Sequence, residues 1–520
     1  MDMFIKVGIL LLFFGIMIYI GFYCRKHATD VNGFVLGGRA VGPWLTAFAY
    51  GTSYFSAVIF VGYAGQFGWK YGVSATWIGI ANAFLGSLLA WNVLGRRTRI
   101  MTQSLDTATM PQFFEKRFSS RSLKIIASAI IFIFLIPYTA SLYNGLSRLF
   151  AMAFNVDYTI CVIVMAVLTG VYVIAGGYMA TAINDFIQGI IMLFGIVAVV
   201  VAVLKGQGGF LASLDKMARV GAETETPGVY ASFFGPDPVN LLGVMILTSL
   251  GTWGLPQMVQ KFYAIKSESS ISKGTVISTF FAVVVAGGCY FLGGFGRLFA
   301  DRVEMTAAGT PASYDAIIPA MLEKLPTILI AVVVVLVLSA SMSTLSSLVL
   351  TSSSTLTLDF LKDLRKKETG EKQQLTIMRV LIVVFIAISV VIAIYQYKEG
   401  ATFIAQLMGI SWGALAGAFL APFLYGLYWK RATGASCWVC FLFSTVVMVL
   451  NIFFRPSFPA ILQSPINAGA FCMLAGLVIV PLVSILTKAP DKKKTDALFS
   501  CYDRKVTVRA STAIEDATEG

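Results

Sequence analysis

The chain has 520 residues, 57% of them hydrophobic and only 12% charged, with a formal net charge of +13. A soluble domain carries roughly twice that share of charged residues, so the composition excludes a water-soluble enzyme or binding module and leaves an all-helical, polytopic membrane protein. The positive balance suggests nucleic acid only until its placement along the chain is considered.

A helix needs about 20 apolar residues to cross the hydrocarbon layer. Thirteen runs meet that need, near 3–23, 42–66, 74–95, 123–153, 157–175, 182–204, 240–260, 275–296, 327–357, 376–396, 402–428, 434–453 and 466–486. The first lacks a basic leader and a small-residue cleavage site, so it is expected to remain as a helix. The longest connections, 205–238 and 297–326, are too short for a separate domain. Basic residues gather after alternate runs: Arg25, Lys26 and Arg39 after the first; Arg96, Arg97, Arg99, Lys116, Arg117, Arg121 and Lys124 after the third; Lys261, Lys266 and Lys273 after the seventh; Lys362 to Arg379 after the ninth; Lys430 and Arg431 after the eleventh; and seven more in the tail. Lys and Arg mark cytoplasmic loops. The expected topology has the N-terminus outside and the C-terminus in the cytoplasm, and the basic balance reflects orientation, with no nucleic-acid partner.

Two runs are interrupted. "AYGTSYFSAVIF" (49–60) breaks the second and "TSLGTWGLPQMVQ" (248–260) breaks the seventh, about 200 residues later. The two unusually long runs, 123–153 and 327–357, are also about 200 apart. Each broken run opens a set of five, and an odd set inserts the second copy upside down. Matched interruptions of this kind point to an inverted-repeat transporter, because freed backbone groups are tolerated in lipid only where they line a cavity or hold a ligand. The expected organisation is a leading helix and loop (1–41), a first repeat with its following loop (42–238), a second, inverted repeat (239–431), two added helices (432–487) and a disordered cytoplasmic tail (488–520).

Few residues offer chemistry. The single histidine, His27, excludes histidine-ligated zinc and a Ser-His-Asp triad. Cys437 and Cys440 form a CxxC inside an apolar helix, where small packing residues are the simpler reading. No phosphate-binding Gly-rich loop is present, which removes ATP-driven pumping, and no catalytic cluster suggests an enzyme. Arg148, within the fourth run, is expected to snorkel or to pair with an acid. What stands out is "LSASMSTLSSLVLTSSSTLTLDF" (338–360), with Ser or Thr at twelve of its 23 positions. Ala340, Ser343, Thr344 and Ser347 share one helical face with Ser346 beside it. A hydroxyl can satisfy itself on the carbonyl one turn back, but a hydroxyl-and-carbonyl face also suits a sodium ion, which takes oxygen ligands. The later "TSSSTLT" approaches the cytoplasmic end, where its hydroxyls are expected to meet water, cap backbone or line an exit. Asp185, early in the sixth run, is the second anomaly, since acids within membrane segments are costly and usually functional.

Taken together, "FVLGGRAVGPW" leading into "AYGTSYFSA", "AGGYMATAINDFIQG", "SASMSTLSS" and "GLYWKRAT" resemble the sodium/solute symporter family, with a leaning to its bacterial sodium/proline and sodium/pantothenate branch. The resemblance spans about residues 3–487. It implies a leucine-transporter-type core of two inverted five-helix repeats. It also implies a main sodium site from the backbone oxygens of Thr52 and Phe55, the carbonyl of Ala340 and the hydroxyls of Ser343 and Thr344. A second sodium site is implied at Asp185, Ser343, Ser346 and Ser347. The matching solute positions are Ser53, Tyr54, Ser56, Tyr138, Thr248, Thr252 and Trp253. Tyr54 stands where the proline branch has an acid, and Thr248 and Thr252 stand where it has aromatic residues.

The expected function is sodium-driven symport of one small organic solute, an amino acid such as proline or a monocarboxylate, by alternating access. The coupling ion is one or two Na+, the working unit a monomer and the location a bacterial inner membrane. A proton-coupled, sugar- or pantothenate-type symporter and a non-transporting solute sensor are the other readings of the same features.

Overall fold

The computed structural model describes residues 2–154, 156–221, 226–307, 309–361, 370–399 and 404–503, with no side-chain description at 2–6, His27, 147–148, 151–154 or Glu399. The expectation for Arg148 therefore lies outside the described residues. Among the described residues, ten helices are long and apolar enough to cross a bilayer, or eleven with one bent pair. Two of the ten exceed one crossing. The helix Tyr158–Gly206 has 49 residues and turns at Gly177, where φ is +55° and ψ −145°. The stretch Val58–Ser104 has 47 residues and turns at Gly72, with φ +62° and ψ −143°. Both conformations are open to glycine and strained for other residues. Dividing at these two glycines and counting the bent pair as one gives the thirteen spans expected from hydropathy.

The spans are α1 (Asp2–Tyr23), α2a (Pro43–Tyr54) with α2b (58–71), α3 (76–104), α4 (Arg121–Phe154), α5 (158–176), α6 (178–206), α7a (Pro238–Gly254) with α7b (Pro256–Ala264), α8 (Ser269–Gly293), α9 (Thr327–Leu361), α10 (Glu371–Glu399), α11 (Ile404–Tyr428), α12 (Gly434–Phe453) and α13 (Pro465–Leu486). In α9 and α11, 78% and 94% of the apolar window is buried inside the protein, against 28% in α1 and 33% in α10. The first two are central and the last two face lipid. α2a packs on α6, α8 and α9, and α7a packs on α3, α11 and α13.

The two breaks are the same local structure. Phe55 has φ −83° and ψ 124°, and Leu255 has φ −76° and ψ 123°. In each case the N–H of the extended residue still donates four back, Phe55 to Gly51 at 3.2 Å and Leu255 to Gly251 at 3.1 Å. The shared "GT" that begins each break thus sits in the same place in both halves. Pro256 occupies the first position of α7b, where its missing N–H costs nothing and its fixed φ favours a helix start. Glycine serves close approach here: a Cβ on Gly51 would lie 2.5 Å from the Phe281 ring, and one on Gly251 would lie 2.5 Å from the Trp412 ring.

α2b and α8 meet backbone to backbone at Gly68 and Gly293, where a Cβ on either would overlap the other helix's carbonyl region. Gly68→Ala and Gly293→Ala are each expected to destabilise by about 1–3 kcal/mol or more, the usual range for overpacking. Thermal unfolding of the purified protein checks this, with Gly8→Ala, whose Cβ would meet nothing within 4 Å, as the neutral comparison.

Three expectations change. The start of the tail is ordered: Lys492–Phe499 is a helix capped by Asp491, Lys430 pairs with Asp496 at 2.7 Å, and the Tyr502 hydroxyl donates to Leu427 O at 3.1 Å. The "TSSSTLT" hydroxyls are buried. Ser353, Ser354 and Thr357 donate to carbonyls one turn back, and Thr351 donates to Gln260 Oε1 at 2.8 Å. Asp359 beyond them is buried and accepts from Thr109 Oγ1 at 2.6 Å and Gln112 Nε2 at 2.8 Å. Finally, several basic residues assigned to loops are buried. Arg117 donates to the carbonyls of Gly426 and Trp429 at the end of α11, where a cation meets the negative end of the helix. Burial lowers Arg117 to about 10, which leaves it charged at neutral pH.

Candidate ion and solute site

The break in α2 turns the carbonyls of Thr52 and Phe55 away from helical partners and towards α9. Ser343 Oγ lies 3.1 Å from Thr52 O and 3.0 Å from Ala340 O. Thr344 Oγ1 lies 3.1 Å from Thr52 O, 3.3 Å from Phe55 O and 3.1 Å from Ala340 O. All five residues expected at the main sodium site therefore meet, and all are buried. The donor count is informative. Three carbonyl oxygens and two hydroxyls share only two protons, so the cluster is short of positive charge in a medium without water. Neutral oxygens in this number suit a monovalent, hard cation.

The four residues expected at a second sodium site have a different neighbour. Asp185, on α6, is fully buried, and its Oδ2 lies 3.8 Å from Lys261 Nζ, itself 3% exposed. Lys261 Nζ is 3.0 Å from Ser347 Oγ and 5.1 Å from the centre of the Tyr178 ring. Ser347 Oγ is shared with Ser53 Oγ at 2.9 Å, and Ser346 Oγ donates to Ser343 O at 2.9 Å. Lys261 is thus no loop charge but a buried ammonium beside the acid. A further cation about 4 Å from it would be repelled by about 4 kcal/mol at an effective dielectric constant near 20. This arrangement does not fit a sodium ion at Asp185.

The expected solute residues divide into three groups. Ser53 points to the lysine cluster and also bonds Ala49 O at 2.6 Å. Thr248 bonds Val244 O at 2.8 Å, Thr252 bonds the carbonyls of Gly86 and Ser249, and Trp253 Nε1 donates to Leu85 O at 2.9 Å; the last two are tied to α3. Tyr54, Ser56 and Tyr138 gather around the first break. The Tyr54 and Tyr138 rings each lie 5.9 Å from Trp412. Ser56 Oγ, Tyr138 Oη, Trp412 Nε1 and Thr52 Oγ1 are buried without a short hydrogen bond among the described residues, the Tyr138 hydroxyl facing Ser56 and Trp412. Buried polar atoms are seldom left unpaired, and these four lie near one break.

Trp412, Asn82 and Lys261 were not expected from the sequence. Asn82 Nδ2 donates to Tyr54 Oη, and Ser249 Oγ donates to Asn82 Oδ1 at 3.0 Å, so Asn82 links the two broken helices. Its signal was an amide near the middle of an apolar run. Trp412 sits among Gly and Ala in "GISWGALAG", the composition that lets a large ring approach a broken helix. Lys261 gave no signal, because it lies where the hydropathy of its run ends. Away from these residues, a cavity of about 930 Å³ lined by Gln66, Tyr71, Asp237, Val244, Gln406 and Asn467, among others, opens at the ends of α2b, α7a and α11.

Comparison with known proteins agrees with this architecture. The chain is 30% identical over 494 residues to the sodium/proline symporter of Staphylococcus aureus, covering 92% of each. It is 27% identical to the osmoregulated proline transporter OpuE of Bacillus subtilis, covering 94% of this chain and 96% of that one. In fold it is similar to a substrate-bound, outward-open sodium-coupled sialic acid symporter, with a TM-score of 0.75 at 17% identity over 94% of this chain and 98% of that one. The profile of the sodium:solute symporter family matches residues 34–440, and on that match, with the broken helices and their repeat, this integral membrane protein belongs to the sodium:solute symporter family.

Proposed function

We propose that this sodium-coupled symporter moves a small carboxylate-bearing solute, an amino acid such as proline or a monocarboxylate, into the cell. The observation that carries the solute class is the set of unpaired groups at the first break. Tyr138, Trp412, Ser56 and Thr52 all offer hydrogen-bond donors, and neither broken helix contains an Asp or Glu. Donors without an acid suit a carboxylate, and helix starts at the breaks add positive ends. The proline relatives support proline as the first solute to test.

In this reading sodium is held by Thr52, Phe55, Ala340, Ser343 and Thr344. It ties the broken α2 to α9 and completes the solute pocket beside it. Tyr54, Ser56, Tyr138 and Trp412 hold the solute, and Thr248, Thr252 and Trp253 brace α7a around it. Sodium loss loosens the tie and lets the pocket open inward. The large cavity is the outer vestibule, in keeping with an N-terminus outside and basic loops in the cytoplasm of a bacterial inner membrane. One charge crossing 100 mV contributes about 2.3 kcal/mol, enough for roughly a 50-fold solute gradient before the sodium gradient is added. A single chain contains every group needed, so the working unit is a monomer.

The test is uptake of labelled L-proline into proteoliposomes containing the purified chain. An inward sodium gradient is expected to drive accumulation, and equimolar potassium is expected to abolish it. Accumulation that ignores sodium would overturn the assignment of the ion site. A solute screen by sodium-dependent thermal stabilisation, in which only neutral sugars respond, would overturn the carboxylate reading.

A further inference from the structure

The acid at Asp185 already has a cation. Lys261 comes from α7b, half of a broken helix, and reaches across to α6 and α9. Its Nζ lies 3.8 Å from Asp185 Oδ2 and 3.0 Å from Ser347 Oγ, with the Tyr178 ring face at 5.1 Å. The acid, the lysine and Ser347 are all buried. The two carboxylate oxygens have no hydrogen-bond partner among the described residues, so the ammonium is the cationic group shown beside them. A buried carboxylate left alone is costly and a buried ammonium equally so, while each offsets the other. A mobile sodium at the acid would have to displace an ammonium that is covalently tethered and almost fully buried.

We propose that Lys261 is a tethered substitute for a second coupling ion, and that this chain therefore binds one sodium per cycle. The proposal rests on the sodium reading of the Thr52–Ser343 cluster. It makes Lys261 a determinant of coupling ratio. It also makes it a positioning residue, holding α7b against α6 and α9 through Asp185 and Ser347 with a charge that never leaves the protein. Removing the ammonium while keeping the acid should convert the pocket into an oxygen-lined anionic site open to a second sodium.

The experiment is equilibrium binding of radioactive sodium to the full-length purified protein, counted per chain at saturation. The wild type is expected to bind one ion, Lys261→Gln two, and Lys261→Gln combined with Asp185→Asn one again. Two ions on the wild type would overturn the proposal while leaving the sodium reading intact. One ion on a folded Lys261→Gln would overturn it as well. No bound sodium on the wild type would remove the sodium reading and this inference together. If Lys261→Gln does not fold, the wild-type count decides between one and two, and the charge-neutral double variant provides the folded comparison.

Discussion

Ser343→Ala and Thr344→Ala are expected to raise the sodium concentration for half-maximal transport by about ten- to a hundredfold, the equivalent of the 1.5–3 kcal/mol typical of a hydrogen bond or ligand contact to a charged group. Each hydroxyl belongs to a cluster of five oxygens that spans the α2 break and α9. Each hydroxyl lies about as close to Thr52 O as to Ala340 O, but its single proton serves one acceptor at a time. Their loss should therefore cost the folded protein only about 1 kcal/mol, so the variants should purify and insert normally. Thr344→Ser keeps the oxygen and is expected to retain near-normal sodium activation. Sodium activation curves of uptake and sodium-dependent thermal stabilisation give two independent readings. Unchanged curves in both alanine variants would remove this cluster as the ion site.

Tyr138→Phe and Ser56→Ala carry the second large effect. Both remove a buried oxygen that makes no short hydrogen bond among the described residues. If those atoms await a solute, deletion should raise KM by about tenfold, near 1.4 kcal/mol. Deletion should leave the melting temperature without solute unchanged or slightly raised, since an unpaired buried hydroxyl contributes nothing favourable. A structural hydroxyl would behave oppositely, with lost stability and unaltered KM. Trp412→Phe tests the same locus by removing an unpaired indole N–H while keeping most of the ring that packs on Gly251.

Much of the fold was legible because a bilayer leaves so few options. Apolar length, alternation of basic loops and the two "GT" breaks 200 residues apart are one-dimensional signals of thirteen spans and a repeat. The breaks proved equivalent down to the backbone angles of Phe55 and Leu255. The hydroxyl face of Ser343 and Thr344 was legible for the same reason: helical periodicity places them together without reference to any other part of the chain. The tail was misread because charge alone suggested solvation, whereas Phe499 and Cys501 are buried beneath the helix ends.

The sequence by itself determined that the chain is a membrane protein with two broken helices and an oxygen-rich stripe opposite one of them, because these follow from hydropathy, Gly and Pro chemistry and periodicity within single segments. Only the tertiary structure decided what meets what. Lys261 read as a loop charge, since hydropathy falls at that point of its run, yet α7b carries it to Asp185, 76 positions away in sequence. Trp412 carried no expectation from the sequence, yet its ring lies over Gly251. Pairing across distant helices depends on packing angles and on which backbones can touch at glycine, and no property of one segment encodes either.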